Sequence, residues 1–266
     1  MKNKRLIILI SIFAFLILIV ILCSTLFTVK TVSVNWLRRL PEGHLLINKD
    51  DEISANVEKG GSIFLFEKDD AIKVLEEKYP YLNVVKIETK FPNKLVLHVA
   101  DRQELFAIKL NDDRYIILDG TNKVLNKYDA LQYSALSVKP ICVTIKEQSL
   151  NADDFVVGKI ANISKVSTVL HSISNALNVL GYEEVDAKGL LNNIEIDLSY
   201  NSTITLKTNF ANLSIQINKI YSQLNQKIIN GLTYYNTAHN EGKSNGVIVV
   251  RELTGGSIEG EFVPNI

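Results

Sequence analysis

Cysteine is scarce in this sequence, and neither sign of charge is in excess. The 266 residues include 2 cysteines, and 29 Lys and Arg residues balance 29 Asp and Glu residues. Cys142 is the only cysteine after Cys23, so the long region beyond Cys23 holds no internal disulfide and depends on its hydrophobic core. A chain without a basic excess lacks the countercharge that nucleic acid binding requires, which argues against nucleic acid as a partner.

Motifs of catalysis and metal binding are missing as well. The sequence has no Gly-x-Ser-x-Gly elbow and no phosphate-binding Walker loop. The glycine-rich segment 255–260 has no helix pattern behind it, so we predict a turn there. The histidines are far apart and lack the spacings of zinc sites; they are His44, His98, His171 and His239. We therefore expect no catalytic residue, no metal and no bound cofactor.

One long apolar run is present, from Leu6 to Phe27. A helix of these 22 residues, at about 1.5 Å per residue, spans the roughly 30 Å hydrocarbon core of a bilayer. Three basic residues precede the run and only Lys30 follows it closely, and positive charge stays on the cytoplasmic side. We predict a cytoplasmic tail at 1–5 and a transmembrane helix at 6–27, with the remaining residues outside the cytoplasm.

A cleaved signal peptide and a lipoprotein anchor are the alternatives for this run. A signal peptide has an apolar region of about 7–15 residues that ends at a site of small residues, and the sequence shows no such site. A lipoprotein signal requires a small residue before the modified cysteine, whereas Leu22 precedes Cys23. The length of the run favours a membrane-spanning helix, in which Cys23 is a thiol buried in lipid.

The segment from Tyr79 to Ala107 connects two groups of elements. Pro80 lacks an amide hydrogen and disfavours helical angles at the residue before it, so a helix predicted at about 67–78 ends there. Alternating apolar and polar residues then predict a strand, a turn at 91–94 that contains Pro and Asn, and a return strand. This pattern is typical of a β-hairpin.

Upstream of this hairpin, the sequence predicts one strand and two helices. The strand covers 28–36, and a short helix at 50–57 is capped by Asp50 or Asp51. The helix at 67–78 has acidic residues in its first turn, where the helix dipole favours them. Its predicted inward residues are Ala71, Val74 and Leu75.

Downstream, the pattern predicts a sheet with two amphipathic helices. Strand patterns occur at 105–110, 115–118, 124–125, 140–145, 194–198, 203–207 and 246–250. A helix is predicted at 163–180, where apolar residues recur at spacings of three and four and Gly181 provides the C-cap. A second helix is predicted from the spacing of Leu213, Ile217, Ile220 and Leu224.

Several short motifs occur in order along this part of the chain. They are Tyr79-Pro80, Phe91-Pro92-Asn93-Lys94-Leu95 between two strands, Asp101-Arg102, and Ile117-Leu118-Asp119-Gly120 followed by Val124-Leu125. Their order resembles that of the FtsQ/DivIB family of bacterial cell-division proteins, whose β domain starts with Asp-x-x-Gly-x-Val-Leu. The family's Glu-Arg-x-Pro corresponds to Asp101-Arg102-Gln103-Glu104 here, so the arginine is kept and the proline is absent.

The resemblance implies an α+β fold with a single transmembrane helix. A POTRA domain of order β-α-α-β-β is expected at 28–101, a mixed β domain with two amphipathic helices at 102–251, and a C-terminal tail at 252–266. The implied function is that of a noncatalytic scaffold of the division machinery in the cell membrane at the septum. Its implied partners are FtsL and FtsB (DivIC), bound outside the cytoplasm in support of septal cell-wall synthesis.

The predicted partner-binding residues lie in and near the last predicted strand. An edge strand leaves backbone amides and carbonyls unpaired, so a partner segment can add to it. In the family this strand and the preceding helix receive FtsB, which implies a site formed by Val247, Val249, Arg251, Lys219 and Tyr221. The alternative is that the apolar run 247–250 marks an interior strand.

Two other functions are compatible with an anchored chain of this length. A membrane-anchored cell-wall hydrolase would need a nucleophile, a base or a metal site. Another POTRA-bearing component of translocation or outer-membrane assembly would need repeated POTRA units. A single such unit without catalytic motifs favours the scaffold.

Overall fold

Two compact units make up the chain, Met1–Arg102 and Gln103–Ile266. The structure, a computed structural model, describes residues 2–39, 49–146, 150–210 and 212–265, with the backbone alone described at 2–9 and 22–24. His44 lies outside the described residues, and so does the side chain of Cys23.

Helix α1, Lys2–Leu26, contains nearly all of the apolar run. It begins within the predicted tail at 1–5, and Phe27 follows its last residue directly. The described side chains from Ile10 to Ile21 are exposed. Counting only the residues whose side chains are described, no helix is both long and apolar enough to cross a membrane.

The first unit has the predicted β-α-α-β-β order after α1. Its elements are β1 Thr31–Arg38, α2 Asp50–Ala55, α3 Lys68–Lys78, β2 Leu82–Lys90 and β3 Lys94–Asp101. Strand β3 is central, parallel to β1 and antiparallel to β2. Because it has a neighbour on each side and helices above it, its residue Leu97 is fully buried.

Two details of this unit differ from the sequence prediction. The pattern places Val74 inward, but its side chain is 57% exposed, and Leu75 alone in α3 is buried. A short helix on one side of a small sheet buries only a narrow stripe. The residue before α2 is Lys49 and makes no side-chain cap, so Asp50 and Asp51 lie inside the first turn, where they interact with the helix dipole.

The motifs behind the family resemblance stabilise local structure. The Arg102 guanidinium lies 2.8 Å from a Glu76 carboxylate oxygen, and both side chains are largely buried. Asp119 Oδ1 accepts hydrogen bonds from the backbone amides of Thr121 and Lys123, each at 2.8 Å. These residues therefore fix the end of the first unit and a tight turn in the second.

The second unit is built on one nine-stranded mixed sheet. Its strands are β4 Phe106–Lys109, β5 Tyr115–Leu118, β6 Val124–Tyr128, β7 Ile141–Lys146, β8 Leu191–Asp197, β9 Thr203–Thr208, β10 Asn212–Asn218, β11 Asn245–Glu252 and β12 Ile258–Pro264. Their spatial order is β12-β11-β10-β9-β8-β7-β4-β5-β6. The intervening helices are α4 Ala130–Ser134, a 3-10 turn at Ala152–Asp154, α5 Ser164–Val179, α6 Glu184–Leu190 and α7 Leu224–Asn240.

Helices α5 and α7 pack with one face of this sheet to form the core. The apolar stripe of α5 is buried as its spacing predicts, and Gly181 ends the helix region with a left-handed φ of 80°. The opposite face of the sheet is polar. On this face Glu195 of β8 and Gln216 of β10 are the cross-strand neighbours of Thr205 of β9.

The helix predicted over 213–224 is wrong. The structure has strand β10 there, paired with β9 and β11, and α7 starts only at Leu224. Leu213 and Ile217 fit both a helical period and a strand period. Ile215 lies between them and is 0% exposed. The three buried residues therefore recur every second position, which is the period of a strand.

The C-terminal tail predicted at 252–266 is also wrong. Residues Ile258–Pro264 form β12, which pairs antiparallel with β11 from Gly246↔Pro264 to Glu252↔Ile258. The glycines predicted as a turn lie partly in the connection between these strands, where Gly255 and Gly256 have positive φ. A hairpin forms because the residues after that turn alternate between the two faces of the sheet.

Gly231 marks the closest approach of α7 to the sheet. A Cβ at this position would lie 2.7 Å from Ile215 Cγ2 and 3.2 Å from Val250 Cγ2. We expect Gly231→Ala to lower the free energy of unfolding by about 1–3 kcal/mol through overpacking. Chemical denaturation measures this loss.

The matched control is Gly189→Ala in α6, where a Cβ would meet no atom within 4 Å. There alanine is expected to leave stability unchanged or raise it by up to about 1 kcal/mol, because glycine is the poorer helix former. Equal stability of the two variants would contradict the close packing of α7 on β10 and β11.

Candidate partner-binding surface

Strand β11, which contains three of the five predicted partner-binding residues, lies inside the sheet. It pairs in parallel with β10 and antiparallel with β12. The prediction that 247–251 is an edge strand is therefore wrong, and the continuous apolar run reflects an interior position. The edge strand beside β11 is β12, which the sequence prediction missed.

The three predicted residues of β11 share the polar face of the sheet. Val247 and Val249 are half-buried and Arg251 is exposed, while the side chains between them point into the core. Arg251 Nη2 lies 3.4 Å from a Glu259 carboxylate oxygen and 3.0 Å from one of Glu261. These ion pairs join the outer faces of β11 and β12.

On its other face, β12 packs tightly against α7 and β11. A Cβ on Gly260 would lie 2.2 Å from Tyr234 Cδ2, so the Tyr234 ring lies directly on the strand. A Cβ on Gly246 would lie 2.7 Å from Phe262 Cε2, and Lys243 Nζ is 5.1 Å from the centre of the Phe262 ring. The edge strand is thus a fixed part of the fold and presents an ordered backbone.

Lys219 and Tyr221 lie in the loop between β10 and α7, whereas the sequence predicts them on a helix. Lys219 and Gln223 both have left-handed backbone angles, with φ of 53° and 46°, which excludes a continuous helix through this loop. Tyr221 is 57% exposed. Its hydroxyl accepts a hydrogen bond from Lys165 Nζ at 3.1 Å, and the same ammonium lies 4.4 Å from the ring centre.

A fully buried lysine fastens this loop to the end of β11. Lys227 in α7 is 0% exposed, and its ammonium donates to the Lys219 carbonyl at 3.0 Å and to Ser222 Oγ at 3.1 Å. It also lies 3.2 Å from a carboxylate oxygen of Glu252. Ser222 Oγ donates in turn to Glu252 at 2.5 Å. We call Lys219, Ser222, Lys227 and Glu252 the Lys227 cluster.

The Lys227 cluster also sets the charge state of its carboxylate. Hydrogen bonds from Ser222 and Lys227 hold the pKa of Glu252 below its ordinary value of 4.5, because they favour the ionised form. Glu252 is therefore a carboxylate at neutral pH. Its negative charge compensates the buried ammonium.

The structure thus places three of the predicted residues on the polar face of β11, and the Lys227 cluster joins the loop of Lys219 and Tyr221 to the end of that strand. It also adds β12, with Glu259 and Glu261, which sequence reasoning missed. The signal for β12 was present, since Gly255-Gly256 is followed by alternating apolar and acidic residues. Lys227 had no sequence signal, because a lysine on a helix is usually exposed.

The described residues contain no group of three or more His, Cys, Asp or Glu side chains arranged to hold a metal ion. His98 instead lies 2.8 Å from a Glu88 carboxylate oxygen within the first unit. Burial raises the pKa of the Cys142 thiol, so this thiol stays protonated at neutral pH.

Comparison with known proteins finds matches over the first unit and over about half of the chain. Residues 27–102 match the family model described as POTRA domain, FtsQ-type. The chain is also 34% identical over 119 residues to a protein of Clostridium botulinum strain Hall named cell division protein DivIB. These matches support a relationship of the chain to the FtsQ/DivIB family. Residues 27–102 of the first unit are accordingly an FtsQ-type POTRA domain, as the motifs from Tyr79 to Arg102 predict.

Two further relatives carry the DivIB name. A protein of Clostridium botulinum strain Loch Maree is 34% identical over 119 residues, and one of Clostridium tetani strain Massachusetts is 27% identical over 152 residues. The first two alignments cover 44% of this chain and 44% of each relative, and the third covers 56% and 54%. The matched part therefore spans about half the length of these curated relatives.

Proposed function

We propose that this chain belongs to the FtsQ/DivIB family and is a noncatalytic scaffold of the bacterial division machinery, which binds other division proteins through β12. The observation that carries the proposal is that β12 forms an edge of the sheet while its inner face is fixed against α7. An ordered edge strand offers backbone donors and acceptors to an extended partner segment. Strand addition needs no deep pocket and no catalytic residue.

The partner segment is proposed to come from FtsB (DivIC), with FtsL in the same complex. The outer face beside the edge carries Val247 and Val249 flanked by Arg251, Glu259 and Glu261. Two carboxylates against one guanidinium leave this face acidic, so it favours a partner strand with apolar and basic side chains. Lys219 and Tyr221 lie in the loop after β10, which Lys227 joins to Glu252 at the end of β11.

The chain is further proposed to be anchored in the cell membrane by α1 at the division septum. The exposed apolar side chains from Ile10 to Ile21 support this proposal, and so do the basic residues that precede the apolar run. The N-terminus then lies in the cytoplasm and both units lie outside it. The complex would support septal cell-wall synthesis by bringing division proteins together.

The double substitution Glu259→Lys/Glu261→Lys tests the binding edge. We expect FtsB and FtsL to be lost from a pull-down of the full chain, because lysines on this edge repel a basic partner strand. Folding is expected to survive, since the lost ion pairs with Arg251 are exposed and such pairs contribute only about 0–1 kcal/mol each.

The matched control is Glu195→Lys/Asp197→Lys on β8. It reverses two carboxylates with the same spacing on the same face, in the interior of the sheet. This variant is expected to bring down FtsB and FtsL as the unmodified chain does. If the control alone loses binding, or if both variants retain it, the partner site does not lie on β12.

A further inference from the structure

Three phenylalanine rings form a cluster at the point where α1 enters the POTRA domain. The ring centres of Phe27 and Phe64 are 5.2 Å apart, those of Phe64 and Phe91 are 5.3 Å apart, and those of Phe27 and Phe91 are 6.3 Å apart. These distances are typical of packed aromatic pairs. The cluster joins residues from three separate segments.

This cluster is at the surface rather than in the core. Phe64 is 61% exposed and Phe91 is 60% exposed, and Leu65, which follows Phe64 in the chain, is 80% exposed. A contiguous exposed patch of large apolar side chains marks an interaction surface. We call Phe27, Phe64, Leu65 and Phe91 the aromatic patch.

The aromatic patch is held at the end of α1 by backbone hydrogen bonds. The carbonyl of Phe27 accepts from the amide of Ile63 at 2.8 Å, directly after the last helical residue. The amide of Val29 donates to Gly61 at 2.9 Å, and that of Lys30 donates to Asn93 at 2.9 Å. The patch therefore follows α1 without a flexible linker and shares its immediate surroundings.

We propose that the aromatic patch inserts into the headgroup interface of the lipid bilayer and seats the POTRA domain on the membrane. This inference rests on the proposed membrane anchoring by α1. Aromatic rings accumulate at membrane interfaces, where one side of the ring faces hydrocarbon and the other faces water. Leu26, 47% exposed, connects the apolar surface of α1 to the patch.

Charged residues around the patch suit a phospholipid surface. Lys30 and Lys90 are exposed on the segments that hold Phe27 and Phe91. Lysine ammonium groups at a bilayer surface interact favourably with anionic headgroups. Rings that enter the interface and flanking lysines that reach phosphates together favour lipid over a partner protein as the occupant.

Tryptophan fluorescence tests the seating, because the sequence contains a single tryptophan, Trp36. Trp36→Phe/Phe91→Trp places the only indole in the patch. The matched control, Trp36→Phe/Leu37→Trp, places it at a position that is 56% exposed in the native chain. Leu37 lies six residues along β1 from Thr31, or roughly 20 Å from the end of the sheet that carries Phe91.

The full-length variants are reconstituted in vesicles of phosphatidylcholine and phosphatidylglycerol with brominated acyl chains. We expect a blue-shifted and quenched emission for Trp at position 91, and unquenched emission for Trp at position 37. Trp36→Phe/Phe64→Trp is a second reporter, in case the first does not fold. Co-flotation with the vesicles is measured on the same samples.

The two proposals fail in different ways. A chain that does not float with the vesicles overturns the anchoring by α1 and the seating with it. A chain that floats while both patch reporters stay unquenched overturns the seating alone. Equal quenching at positions 37 and 91 also overturns it, because the contact would not be specific to the patch.

Discussion

Lys227→Met is expected to lower the free energy of unfolding of the second unit by about 3 kcal/mol. The substitution keeps the length and apolar character of the side chain but removes the ammonium that the Lys227 cluster surrounds. The Lys219 carbonyl and Ser222 Oγ lose their donor, and Glu252 loses its countercharge. Chemical denaturation at pH 7 measures the loss.

Lys207→Met is the matched control. Lys207 pairs with Glu195 at 2.5 Å, but its side chain is 46% exposed on the polar face of the sheet. An exposed ion pair is offset by hydration and side-chain entropy, so this variant is expected to change stability by less than about 1 kcal/mol. Equal losses of unfolding free energy in the two variants would mean that the buried Lys227 interactions stabilise the fold no more than an exposed ion pair does.

The stability lost in Lys227→Met depends on pH through the ionisation of Glu252. The folded pKa of Glu252 is lowered, so the carboxylate contributes stability that is fully present above its unfolded pKa, near 4.5. This contribution is lost as the pH falls through the lowered folded value. The stability difference between the unmodified chain and Lys227→Met should therefore shrink when denaturation is repeated below pH 4.

Leu97→Asp is expected to unfold the POTRA domain, with a cost of about 4 kcal/mol or more. Leu97 is 0% exposed on the central strand β3, between Val34 of β1 and Ile87 of β2. An aspartate there would be a buried charge without a partner. Hydrogen exchange should show loss of amide protection in β2 and β3.

Lys94→Ala at the start of the same strand is the control. Lys94 is only half-buried, and substitutions at such positions usually stay within about 0.5 kcal/mol. Retained protection of β2 and β3 in Leu97→Asp, matching that in Lys94→Ala, would show that the central strand tolerates the charge. That result would contradict the packing of this domain.

The elements that the sequence predicts correctly are those whose signals are local. Pro80 ends α3, the period of two continues through β2 and β3, and Gly181 closes α5. Each of these depends on backbone sterics or on one buried face. The resemblance to the FtsQ/DivIB family followed from the order of such motifs.

The candidate site was only partly predictable, because its features depend on contacts between residues that are distant in sequence. Whether β11 is an edge depends on whether the residues after Glu252 pair with it, and that pairing is a tertiary event. The segment 213–224 matched a helical period until β9 and β11 selected the strand. The burial of Lys227 depends on a loop and a strand end that meet only in the folded chain.

The sequence by itself determined the apolar helix at the N-terminus, the POTRA order and the residue alternation of most strands, because these are set by backbone geometry and the hydrophobic period. The tertiary structure alone decided that β12 is the edge, that Lys219 and Tyr221 lie in a loop, and that Lys227 is buried. Strand order and side-chain burial depend on contacts between residues that are distant in sequence, and a period along the chain does not encode which strand lies beside which.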